Sequence, residues 1–254
     1  MEIGSLAWAR KTGGKINFQE KLLLAYSGVT GAMKDIPPLL WWKMGLPMRQ
    51  PLAVDLASIQ FPETKATKSA ESLLNELTPA FMVNHSIRTY VWSRLLGDSI
   101  SLECDNELLY IASLLHDIGF YGPYAKSTPK TECFSIRSDD AALQIAEKNN
   151  WSSSRRDQLA EAIILNANLH VPLTQGAEAH IMQKGVSVDI MGTGIWKISR
   201  VTKDSVISKF PRLDQSPEIW NTWKAEADRH VCCRGHFYNQ FLQFKNLLKL
   251  APFD

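Results

Sequence analysis

His116-Asp117 stands at the end of the most apolar helical run in the chain, residues 106 to 118, directly before Gly119. Burying an imidazole and a carboxylate there is costly unless they are paired, hydrogen-bonded or bound to a metal. A carboxylate at a helix C-terminus also opposes the helix dipole, so capping alone explains Asp117 poorly. In another segment, Phe81, His85, Arg88, Thr89 and Trp92 fall on one stripe at helical spacing. On that stripe His85 is either a core residue or a ligand. Arg88, one turn on, either meets a polar or anionic substrate group or pairs with a carboxylate.

A third segment carries Glu178, Gly185 and Asp189, separated by seven and four residues. At 100° per residue Asp189 returns to within about 20° of Glu178, so the three share a face of a continuous helix. The missing side chain at Gly185 is expected to let this helix approach the one bearing His116-Asp117, with Asp189 beside a metal and Glu178 in the same cleft. The alternative is a solvated acidic face. His180 lies about 180° round from Asp189 and is excluded as its co-ligand.

These residues need helices to hold them. Pro62 precedes a predicted helix from about residue 68, and Pro79 opens another to residue 96, closed by Gly97. The central helix is predicted over 106 to 118 with Gly119 at its C′ position. Ser138 or Asp139 is expected to cap a helix to 149, Ser154 one to 168 and Thr174 one to 191. A loop follows around Phe210-Pro211-Arg212, then a helical region over 217 to 250 broken at Gly235. No alternating strand pattern occurs, which predicts an all-α fold. Residues 1 to 50, with two Gly-rich turns and the run Pro-Pro-Leu-Leu-Trp-Trp, are expected to be an appended, loosely helical extension. Residues 51 to 254 should form the main domain. Trp41 and Trp42 either cap a pocket or pack on the core.

The chain has 254 residues, 45% of them hydrophobic, enough for a sizeable core. Its 28 basic and 26 acidic residues are interspersed and give a net charge of +2, with no footprint for nucleic acid or anionic lipid. A small-molecule partner fits better. Four cysteines without CxxC spacing read as reduced thiols, no apolar run suffices to span a membrane, and a cytoplasmic location is expected.

Taken together, His85, His116-Asp117 and Asp189 on helices resemble the HD superfamily of metal-dependent hydrolases. The segments Phe61-Pro62-Glu63-Thr64, Asn84-His85-Ser86-Ile87-Arg88-Thr89-Tyr90, Leu114-Leu115-His116-Asp117-Ile118-Gly119, Glu178 through Gly185 to Asp189-Ile190-Met191-Gly192, and Phe210-Pro211-Arg212 are similar to the cyanamide hydratase branch. The similarity spans roughly residues 52 to 230 and implies an HD-like helical bundle. It further implies one divalent metal held by His85, His116, Asp117 and Asp189. Nitrogen and oxygen donors of this kind suit zinc, iron or manganese. An open coordination position would turn water into a hydroxide nucleophile for hydrolysis or hydration of a nitrile- or amide-like molecule. In that reading Asp117 and Asp189 share ligation with orientation of the water, Glu178 or Thr89 relays protons, and Arg88 holds substrate or fixes a ligand carboxylate.

The chain departs from the branch at Phe134-Ser135, which usually reads Phe-Glu, at Ser138-Asp139, which usually reads Gly-Ala, and at Leu165-Asn166, which usually reads Leu-His. The lost carboxylate and imidazole alter proton-transfer options around the site, with Asn166 and His170 left as candidates for substrate contact. Two rival functions follow. A nucleotide or phosphoester phosphohydrolase would need basic residues near the metal, for which Lys126, Lys130 and Arg137 are candidates. A catalytically silent ligand-binding module would keep the fold without turnover. His230 and His236 read as surface or packing residues, and residues 37 to 46 offer one interface for a homodimer.

Overall fold

Capping residues mark where many of the helices begin. Asn17 and Glu20 form a reciprocal capping box, as do Thr64 and Thr67, while the side chains of Ser5, Asp105, Ser152 and Ser199 each accept a bond from the first turn they precede. The computed structural model describes residues 2–48, 51–126, 128 and 133–253. In chain order the helices are α1 (Leu6–Thr12), α2 (Phe18–Lys43), α3 (Lys65–Leu77), α4 (Ala80–Asp98), α5 (Asn106–Leu115) and α6 (Phe134–Lys148). They continue as α7 (Ser153–Leu165), α8 (Ala177–Met191), α9 (Arg200–Lys209), α10 (Gln215–Arg229), α11 (Arg234–Phe241) and α12 (Phe244–Leu248). Among the described residues there is no β-sheet, only two isolated bridges, so the fold is all-α as the sequence predicts. No helix is long and apolar enough to cross a membrane among these residues.

Every residue of α5 from Leu108 to Leu115 is buried, and α3, α4, α6, α7 and α8 pack around it. A helix that is apolar on all sides has nowhere else to go. The densest helix pair is α4 against α8. The N-terminal segment is not loose. Trp8 packs with Phe134, Ile164 and Tyr238, while Leu39 and Trp42 join the cluster around α5. Burial of Leu39 and Trp42, with Arg200 stacked on the Trp42 ring at 4.0 Å, holds the end of α2 despite Pro37 and Pro38 inside it. Trp42 is therefore a packing residue, and Trp41 is half exposed.

Several predicted boundaries move. Ser138 and Asp139 lie inside α6 and are buried rather than capping it. The first turn of α6 is set by packing instead, with Phe134 stacked on Phe120 at 4.2 Å between ring centroids. Thr174 falls in a short 3-10 turn, and α8 begins after Gly176, whose φ of 111° only glycine adopts readily. The break in the last region falls between Arg229 and Arg234, not at Gly235. Gly119 is not a left-handed C′ residue. It is required because a Cβ there would sit 2.1 Å from the Phe134 carbonyl oxygen, where the chain leaving α5 meets α6.

Candidate metal centre

His85 comes from the middle of α4, whereas His116 and Asp117 come from the point where α5 ends and the backbone turns into a 3-10 turn, Ile118–Phe120. The Nε2 atoms of the two histidines are 3.2 Å apart, and Asp117 Oδ2 lies 3.4 Å from His116 Nε2 and 3.6 Å from His85 Nε2. One ligand atom from each of the three residues lies within 4.8 Å of the others.

The hydrogen bonds behind the rings fix the tautomers. His116 Nδ1 is 2.8 Å from the Ser113 carbonyl oxygen, which only accepts, so Nδ1 carries the proton. His85 Nδ1 is 2.7 Å from Asp189 Oδ2, and that carboxylate is held well below the usual range, so this nitrogen also donates. With both rings neutral, the two Nε2 atoms carry no proton and face one another and an anionic oxygen, in a place with no solvent exposure for either imidazole. Such an arrangement is repulsive by itself and fits a cation. Burial depresses the His116 pKa. For His85 burial acts the same way, but hydrogen bonds and charge from Asp117 and Asp189 outweigh it and raise the value. Burial would raise Asp117, yet the charge of His116 and its contact with His85 bring it down.

Asp189 does not converge with these three. It stands behind His85, and donors occupy both of its oxygens. Oδ1 accepts from Arg88 Nε at 2.7 Å and Trp92 Nε1 at 2.9 Å, while Oδ2 accepts from His85 Nδ1, from Arg88 at 3.0 Å and from Gln215 Nε2 at 2.8 Å. Burial would raise its pKa, but the Arg88 guanidinium and the His85 hydrogen bond prevail. In this arrangement Asp189 stands one layer behind His85, bonded to its Nδ1, and not within the group formed by His85, His116 and Asp117. The approach at Gly185 is also redirected. A Cβ there would meet Ser93 Oγ at 2.2 Å and the Thr89 carbonyl oxygen at 2.5 Å, so the glycine brings α8 against α4, the helix of His85, rather than against α5.

The remaining candidates separate. Arg88 is fully buried and spent on Asp189, Gln215 and the carbonyls of Phe210 and Pro211, which leaves nothing for a substrate. Glu178 accepts from the backbone N–H of Asp105, the residue that caps the start of α5, so it lies at the end of α5 opposite His116. Thr89 is buried between α4 and α8 and does not line the cavity. His170 is exposed. Asn166, by contrast, lines a cavity of about 80 Å³ that reaches Asp117. Its walls are mostly apolar, with Phe120, Phe134, Ile219, Trp223 and Phe244 among them, and no lysine or arginine occurs among its described lining residues. Lys126 faces an outer groove, Arg137 is buried against Glu226 at 2.6 Å, and Lys130 lies outside the described residues. Ser135, one of the departures from the branch, accepts from the buried Arg234.

Residues 82–184 match the family model of the HD domain. The HD match runs from α4 into α8, takes in His85, His116 and Asp117, and stops before Asp189. No curated protein matches the chain. HD domains are in general metal-dependent hydrolases, and the His85, His116 and Asp117 group, inside the matched segment, is where this chain could hold a divalent ion. Gln215 and Trp223 carry no signal in the sequence. Trp92 already stood on the His85 stripe, and its indole donor was the available clue.

Proposed function

We propose that this HD protein is a metal-dependent hydrolase or hydratase of a small, uncharged molecule, nitrile- or amide-like as in the cyanamide hydratase branch it resembles. The observation that carries the reading is the convergence of two imidazole Nε2 atoms and the Asp117 carboxylate, with Asp117 lining a cavity that has no described basic side chain. A divalent ion bound there, with zinc, iron and manganese all suited to the donors, lowers the pKa of a bound water and polarises an unsaturated carbon–nitrogen or carbon–oxygen bond. The protein's own residues do the rest. Asp117 is the one carboxylate among the described residues of the cavity wall, so it is the group to take a proton from water and return it to the substrate nitrogen. Asn166 offers an amide to the substrate's polar end, and the apolar wall keeps bulk water out. Water adds across a nitrile to give an amide, with both hydrogens of the water ending on nitrogen.

A phosphoester substrate is less well supported, because anionic oxygens would meet no described cation in this cavity. The test is elemental analysis of protein purified without added metal, for wild type and His116→Ala, followed by a panel of nitriles, amides and phosphoesters. Near-stoichiometric metal, lost in the variant, with turnover of a nitrile or amide is expected. Metal retained in His116→Ala, or turnover of phosphoesters alone, defeats the reading. Metal with no turnover of any class points to a silent binding module.

A further inference from the structure

The cavity at Asp117 does not end at its own wall. A second cavity of about 90 Å³ shares Leu169, Ser187, Met191, Leu242 and Leu247 with it, so the two adjoin across a common wall. The outer one is walled by α2, through Gly28, Gly31, Ala32, Asp35, Ile36 and Leu39, with Asp35 the one charged side chain among its described lining residues. Two glycines in the middle of a helix are costly, and here each has a spatial consequence. A Cβ on Gly28 would lie 2.9 Å from Leu242 and 3.1 Å from Leu169, so this glycine lets α2 close on the shared wall. One turn on, nothing lies within 4 Å of where a Gly31 Cβ would be, so the helix opens onto free space. At the inner end, Trp223 Nε1 and Tyr238 Oη are buried without a hydrogen-bond partner among the described residues, and both residues line the cavity that reaches Asp117. Buried donors left unpaired are expensive and are normally satisfied by something.

We infer that the two cavities form one largely apolar channel, roofed by α2, which takes an elongated uncharged molecule with an alkyl or aryl tail and a small hydrogen-bond-accepting end. The accepting end lies inside, among the unpaired donors and Asp117, and the tail runs out beneath α2 between Leu169 and Leu242. The N-terminal segment, for which the sequence suggests no task, thereby becomes the wall that selects for tail length. The chemistry at the inner end rests on the function proposed above, but tail binding does not.

The test is calorimetric titration of the purified, metal-loaded protein with butanenitrile, hexanenitrile and octanenitrile, for wild type and Gly31→Phe. Affinity is expected to rise about fourfold per added methylene. Gly31→Phe should weaken octanenitrile at least tenfold and leave butanenitrile unchanged. The variant has room for its side chain and replaces a poor helix former, and Ala32→Phe obstructs the same wall should it fail to fold. Affinity that is flat with chain length, or a loss in Gly31→Phe equal for short and long nitriles, overturns the channel. Repeating the series on metal-free His116→Ala separates the two proposals. Chain-length dependence that persists there, in a protein whose loaded wild type turns nothing over, upholds the channel and sinks only the enzymatic reading.

Discussion

His85 Nδ1 stands 2.7 Å from Asp189 Oδ2, with Asp189 also gripped by Arg88, Trp92 and Gln215. The carboxylate turns the imidazole so that Nε2 faces His116 and Asp117, and it pins the tautomer that leaves Nε2 bare. Three further helical positions on α4 and α10 thus converge on one anion in order to aim one ring. Replacing Asp189 by Asn keeps the volume but removes the charge and presents an amide to a ring of donors. Metal affinity should fall roughly 10- to 100-fold without vanishing, as for partners that orient a ligand. Stability should drop by about 3–5 kcal/mol, because Arg88 is left buried and uncompensated. Zinc titration and urea denaturation read the two effects. A correctly folded Asn variant with no metal at all would make Asp189 a direct ligand instead.

Gly185 sets the distance across which this anchoring works. Its missing side chain is filled by Ser93 Oγ and by the Thr89 carbonyl oxygen, and the second is backbone that no rotamer change can move. Gly185→Ala should therefore cost about 1–3 kcal/mol in spite of alanine's better helix propensity. By parting α4 from α8 it should also weaken metal binding. Adding Ser93→Gly should recover only part of either loss. Full recovery in the double variant would mean that the hydroxyl alone sets the spacing.

The N-terminal segment gives a third prediction. Trp8 on α1 has no exposed surface and packs among Phe134, Ile164 and Tyr238, residues of α6, α7 and α11. An appended extension would tolerate its loss. Since it is part of the core, Trp8→Ala should cost roughly 3–5 kcal/mol in a single cooperative unfolding transition. A separate early transition, with the remainder melting as in wild type, would show an independent extension.

The sequence made part of the site legible for a physical reason. His85, His116 and Asp117 are ionisable residues in segments whose periodicity demands burial, and that conflict is visible without coordinates. The position of Glu178 differs from the shared cleft that the sequence suggests, because helical pitch fixes the angle around an axis and not the position along it. Eleven residues separate it from Asp189, about 16 Å of helix, enough to carry it to the far end of α5. Ser138 carries a capping residue's chemistry but spends it inward, accepting from the Gly119 N–H at 2.9 Å. Gln215, Trp223 and the α2 wall reach the site from segments distant in sequence. Their packing leaves no periodic trace, so the cavity and the absence of basic side chains among its described lining residues are not readable from the chain alone.

Asp139 gives the stability a pH dependence of its own. It is buried inside α6 with one oxygen unpartnered, and burial, helped by Asp140 and Asp157 against Arg10, pushes its carboxyl up to about 8. The folded chain therefore keeps this group protonated near neutrality, whereas in the unfolded chain it ionises near pH 4. Because the folded value is the higher one, the group costs nothing below about pH 4, and stability is lost progressively as pH rises from there to about 8. Above that the loss levels off at a few kcal/mol, at roughly 1.4 kcal/mol per unit of pKa difference. Asp139→Asn carries no proton to lose. It should match wild type near pH 4 and exceed it near pH 8, a difference that urea denaturation across this range measures directly. Parallel stability profiles for the two proteins would show that Asp139 is ionised in the folded state and finds a partner there.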